Sequence, residues 1–139
     1  MKINTYLCLP GTAKEALKLY GQVFQAEPDS VSYFKDVPPD SGMDVSPENG
    51  DLILHASFKV GEDHFMLSDA PSGTNVSFGD VTQVSIHPDS REEADRIFTI
   101  LSDGGKVVTP MADAFWGDYF GMVKDRFGIA WMINYSENW

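Results

Sequence analysis

From Asp113 to Asn134 the chain reads DAFWGDYFGMVKDRFGIAWMIN, and this stretch decides the fold. Phe115, Trp116, Tyr119, Phe120 and Phe127 are interspersed with Gly117, Gly121 and Gly128, and a nearly uncharged apolar run follows. Glycine gives tight turns their backbone freedom, and aromatic and β-branched residues favour a pleated surface, so the segment is predicted to be a hairpin. One strand runs to about Val123, Lys124 to Gly128 make the turn, and a buried strand covers Ile129 to Tyr135. Aromatics gathered at a hairpin either pack a core or line a pocket, and both readings stand at this point.

Outward from the hairpin, one pattern occurs twice. Lys2 to Leu9 alternates as a strand, Pro10-Gly11 breaks it, and Thr12 with Glu15 forms a capping-box pattern ahead of Leu17, Tyr20, Val23 and Phe24 at helical spacing. Val81 to Ile86 is again a strand, with Pro88 as breaker. Ser90 with Glu93 repeats the capping box, Ala94, Ile97, Phe98 and Leu101 give the apolar face, and Gly104-Gly105 ends the helix. Three strand candidates follow each helix. They are Val31 to Lys35, Leu52 to Val60 and His64 to Asp69 in the first half, and Lys106 to Pro110, Tyr119 to Val123 and Ile129 to Tyr135 in the second.

The expectation is an α+β domain of two βαβββ modules, residues 1–70 and 81–137, joined by a connector at 71–80. The stretch from Pro38 to Gly50 is a polar insertion in the first module, and it and the connector are expected to be mobile loops. Each curved sheet has one face covered by its helix, so pairing the two mixed sheets into a half-barrel predicts a cavity.

The 139 residues suit one compact domain, and 42% hydrophobic with 12% aromatic residues marks a folded chain. A net charge of −11 and a pI near 4.4 argue against nucleic acid as a partner, since phosphate binding needs a cationic face. Cys8 is the single cysteine and reads as a small buried hydrophobe. No apolar run approaches 18 residues and no signal-peptide pattern follows Met1, so a cytoplasmic protein with no membrane partner is expected.

Several pieces together resemble the PhnB-like branch of the vicinal oxygen chelate superfamily, which includes glyoxalase I, extradiol dioxygenases and bleomycin-resistance proteins. They are Ala13-Lys14-Glu15-Ala16 with Leu19-Tyr20, Leu54-His55-Ala56, Met66 to Ala70, Gly104 to Val107, and the block from Phe115-Trp116-Gly117 to Trp131-Met132-Ile133-Asn134. Members of this branch are often labelled after a ubiquinone methyltransferase, but no glycine-rich strand-to-helix turn for an adenosyl cofactor is present here, and no cofactor is expected.

In metal-dependent relatives the first and last strands of each module supply His, Gln or Glu ligands. Registering those strands onto this chain puts the positions at Thr5, Met66, Thr82 and Met132. None suits a divalent Zn, Ni, Fe or Mn ion, so no metal is expected, and the four would instead line an adaptable pocket. His55 shares a strand face with Ser57 and Lys59. A solvent-facing or structural histidine is the first reading; facing the cavity, it is the best candidate general base. His64 and His87 read as surface residues, and Asp69 and Asp125 as turn formers. Trp116, Tyr119, Phe120 and Phe127 are core or pocket wall, with Trp116 and Phe120 taken as ligand-binding.

The first expectation is a metal-free binder of a small organic molecule, in a homodimer as the resemblance implies. The alternative is a glyoxalase- or dioxygenase-like enzyme, metal-dependent through unrecognised ligands or metal-free with His55 as base. A third reading is an interaction protein whose dimerisation is itself the function.

Overall fold

The structure, a computed structural model, describes residues 1–43 and 45–138. Among these, eight strands and two α-helices follow the order β1 (Thr5–Leu9), α1 (Ala13–Phe24), β2 (Ser30–Tyr33), β3 (Ile53–Val60), β4 (Asp63–Asp69), β5 (Val84–Ile86), α2 (Arg91–Ser102), β6 (Lys106–Asp113), β7 (Tyr119–Lys124) and β8 (Ala130–Tyr135), with a short 3-10 turn at Phe34–Asp36. The chain divides into two compact units, Met1–Ser77 and Phe78–Trp139.

Each unit is one βαβββ module. The first sheet has the order β1-β4-β3-β2 and the second β5-β8-β7-β6. In each, the first and last strands pair in parallel and the remaining neighbours are antiparallel. Parallel neighbours need a long crossover, and the helix that follows the first strand supplies it. No described helix is long and apolar enough to cross a membrane.

In the first unit, the stripe of Ala13, Ala16, Leu19, Tyr20 and Val23 is buried against the sheet. Tyr20 lies 5.3 Å from Phe65, centroid to centroid, and Phe24 lies 5.6 Å from Phe58. In the second unit, Ala94, Ile97 and Leu101 are buried, as are Val123, Trp131 and Ile133 on the strands. Burying one such large side chain is worth about 1.5–3 kcal/mol, so these stripes, more than helix propensity, hold the helices in place.

The two helix starts differ. Ser90 Oγ accepts the Glu93 amide at 3.0 Å, as its sequence predicts. Thr12 forms no side-chain cap, contrary to expectation. Its ψ of 7° is not the extended geometry that aims a capping hydroxyl, and a carboxylate from another strand takes the position. Asp69, buried at the end of β4, accepts the Ala13 amide through Oδ1 and the Ile53 amide through Oδ2, both at 2.9 Å. Asp125 plays a local counterpart in the β7–β8 turn. Its Oδ1 takes the Phe127 and Ile129 amides at 2.8 and 3.0 Å, and its Oδ2 takes the Trp131 indole at 2.8 Å.

Other boundaries shift as well. β1 begins at Thr5, not Lys2, and β5 begins at Val84, not Val81. β6 continues past Pro110 to Asp113, through two register breaks that let an edge strand carry a proline. Cys8 is exposed, because Leu7 and Leu9 take the helix side of the alternating strand. The polar insertion is anchored at its far end. Asn49 is 1% exposed and accepts the Ser72 amide at 2.8 Å, tying the insertion to the connector.

Candidate functional site

Strand alternation sorts every candidate onto one of two faces of its sheet. In the first unit, Phe65 touches α1 and Thr5 pairs with Phe65, so Thr5 lies on the helix-covered face. Met66 is on the other face, paired with Tyr6 on β1 and Ser57 on β3. Thr5 and Met66 therefore do not line one surface. Tyr6 is the β1 residue that stands beside Met66.

His55 also lies on the face away from α1. It is half-buried, with its ring 6.0 Å from that of Tyr6, so it is neither fully solvent-facing nor sealed in a core. Ser57 is buried and already engaged. Its hydroxyl donates to Asp29 Oδ1 at 2.9 Å and lies 3.0 Å from the Ser30 hydroxyl.

In the second unit, Trp131 and Ile133 are fully buried on the α2 side, so Met132 projects from the opposite face. Its partners there are Ser85 on β5 and Met122 on β7. Thr82 precedes β5 and is exposed, so it does not stand opposite Met132. Gln83, next in sequence, has a buried side-chain oxygen without a hydrogen-bond partner among the described residues.

Phe120 pairs with Asn134 on the same face as Met132 and Met122. The Trp116 ring lies 5.5 Å from Phe120, and Phe115 meets Trp116 edge-on at 5.0 Å. Trp116 is 52% exposed, far more than a core aromatic. A polar edge adjoins these rings. Asn134 Nδ2 donates to Asp118 Oδ2 at 2.9 Å, and Ser85 Oγ lies 3.2 Å from His87 Nε2. The Asn134 amide holds the Asp118 carboxyl below the usual carboxylate range, helped by hydrogen bonds from Ser136 and Trp116 and by the charge of His87, against a smaller opposing effect of burial.

The structure thus gathers Trp116, Phe120 and Met132, all expected, with Ser85, Asp118, Met122 and Asn134, which sequence reading passed over. Period-two counting from Met132 would have found Asn134, and hairpin pairing would then have given Phe120 and Met122. Tyr119 turns to the α2 side. Its hydroxyl donates to Asp95 at 2.8 Å, which raises its pKa, and Arg91 sits 4.6 Å over its ring.

The face positions on the first and last strands of each module are Tyr6 with Met66 and Ser85 with Met132. A phenol, a hydroxyl and two thioethers do not fit a borderline divalent ion, which takes imidazole, carboxylate or thiolate. Among the described residues, no group of three or more His, Cys, Asp or Glu side chains is placed to share an ion.

The 3-demethylubiquinone-9 3-methyltransferase family matches residues 1–134. Protein PA1353 from Pseudomonas aeruginosa is 33% identical, with a TM-score of 0.84 over 98% of each chain. The PhnB protein from Bacillus cereus is 26% identical, with a TM-score of 0.79 over 98% of this chain and 100% of that one. A glyoxylase/bleomycin resistance protein/dioxygenase domain from Frankia sp. EAN1pec shares the fold at 13% identity, with a TM-score of 0.67 over 99% of this chain and 92% of that one.

Proposed function

Because the chain belongs to the 3-demethylubiquinone-9 3-methyltransferase family, the PhnB-like branch of the vicinal oxygen chelate superfamily, we propose that it binds a small organic molecule without the divalent metal usual in that superfamily. The observation that carries this reading is the face of the second sheet. Met122 and Met132 give it a deformable apolar floor, Phe120 and the half-exposed Trp116 a wall, and the Asn134–Asp118 pair a polar edge. Apolar area with a few fixed polar groups is the usual composition of a small-ligand site. The carbonyl-polarising chemistry of glyoxalase- and dioxygenase-like relatives draws on a Lewis acid, and the donors on the first and last strands do not supply one.

Methyl transfer, named in the family description, would need a place for an adenosyl cofactor. Neither strand-to-helix turn is glycine-rich, and the first amide of α1 is already bound to Asp69. A second reading, metal-free acid–base chemistry, is favoured only by the half-buried His55 beside Tyr6. A homodimer, implied by the family resemblance, and a place in the cytoplasm complete the proposal.

The test is tryptophan fluorescence during titration with a panel of planar aromatic compounds. Saturable quenching is expected with at least one of them, abolished in Trp116→Ala, while that variant loses only about 1–2 kcal/mol of stability with its two ring contacts. Quenching that survives in Trp116→Ala, or a chelator-induced fall in Tm of the purified protein, would overturn the reading. Turnover abolished by His55→Asn, with ligand binding intact, would favour the second.

A further inference from the structure

A separate concavity of about 480 Å³ opens at the end of the first sheet, where the β3–β4 hairpin meets the chain's first residues. Its lining includes Lys2, Asn4, Lys59, Glu62, Asp63 and His64. Lys59 and His64 are direct cross-strand partners. Asn4 precedes Thr5, whose partner Phe65 follows His64, so Asn4, His64 and Lys59 form one row across three chain segments.

The charges in this hollow are not spent on each other. The chain has ten Lys and Arg against 21 Asp and Glu, and five of the ten form ion pairs among the described residues. Lys35, Arg91, Arg96, Lys124 and Arg126 all form ion pairs. Lys2 and Lys59 form none among the described residues, although Glu62 and Asp63 line the same hollow. The two carboxylates sit at the tip of the hairpin and are exposed, as are the two lysines. We infer that Lys2, Asn4, Lys59 and His64 form a binding site for a small oxyanion, distinct from the aromatic face of the second sheet.

The residue types fit that ligand. Two ammonium groups supply charge-assisted donors, and the Asn4 amide and the His64 ring N–H add two more. Glu62 and Asp63 repel an anion and restrict the site to a small one held on the lysine side. A tetrahedral dianion and a carboxylate share this chemistry.

The experiment is a titration of the isotopically labelled protein with sodium sulfate, followed by NMR at His64, Lys59 and Asn4, with ionic strength held constant by sodium chloride. Saturable shifts are expected at roughly 1–10 mM. Lys59→Gln and Lys2→Gln should each weaken binding about fivefold or more, the effect of one exposed charge pair, while Lys14→Gln on the exposed side of α1 should change nothing. Saturation by sodium acetate but not sulfate would identify a carboxylate as the ligand. Shifts that do not saturate with either anion, or that weaken equally in Lys14→Gln, would overturn the proposal. Matched melting curves keep loss of folding apart from loss of the site.

Discussion

The two modules share strand order and helix placement, yet they present different surfaces on the face away from the helix. The first offers Tyr6, His55, Ser57 and Met66, a mostly polar set. The second offers Phe120, Met122, Met132 and the adjoining Trp116, with polar groups only at its edge. The helix-facing positions, by contrast, run in step. Leu67 and Ile133 occupy the same slot after Met66 and Met132, and both are fully buried. Topology is set by the covered side of each sheet, which leaves the other side free to diverge in chemistry.

The anchoring carboxylates divide in the same way, and they give the largest expected effects. Asp69 joins β4 to the start of α1 and to β3 across 56 and 16 residues of sequence, whereas Asp125 acts within six residues. Asp69→Ala leaves two buried amides unpaired and is expected to cost about 3–5 kcal/mol. Asp125→Ala frees turn amides that water can partly reach, and about 2–4 kcal/mol is expected. Urea unfolding measures both, and equal losses would erase the distinction between a long-range clamp and a local one.

A smaller effect sharpens the comparison at matched sites. Ala56 pairs with Leu67, and Gly121 pairs with Ile133, so the two residues hold the same slot in their modules. A Cβ at Gly121 would lie 3.0 Å from the Phe98 ring and closer still to the Met111 sulfur. Gly121→Ala is therefore expected to destabilise by about 1–3 kcal/mol through overpacking. Ala56→Gly should cost about 1 kcal/mol through chain entropy and lost packing. A neutral Gly121→Ala would mean that Met111 yields freely.

The smallest effect is a pH dependence confined to the second module. The folded-state pKa of Asp118 is depressed, chiefly by the Asn134 hydrogen bond. Its contribution to stability is complete above the ordinary aspartate value of about 3.9 and disappears as acid takes the pH down through the depressed value. The stability gap between wild type and Asp118→Leu should therefore narrow below about pH 4. Urea midpoints at pH 6 and pH 3 test this, and a gap that stays constant would show that the carboxylate's charge plays no part.

The repeat, both helices and the hairpin from Tyr119 to Tyr135 are legible in the sequence, because period-two and period-3.6 patterns are local. Which face a strand residue takes is less so. Thr5 lies one residue, and Thr82 three, from the positions that pair with Met66 and Met132, and a slip by an odd number of residues exchanges faces. Asp69 illustrates a different limit. Its sequence neighbourhood shows a turn former, and its clamp on Ala13 and Ile53 exists only once three elements have come together. The Asn134–Asp118 pair escapes notice for the same reason, since 16 residues of hairpin separate them.

The proline in β6 carries a consequence for the life of the folded chain in a crowded cell. Val107 and Val108, 44% and 56% exposed on an edge strand, would invite another molecule's backbone to extend the sheet. Pro110 has no amide hydrogen to offer, and the interrupted ladder on either side of Thr109 denies an incoming strand a continuous row of partners. The irregularity that makes this strand hard to delimit also makes it a poor template for an added strand.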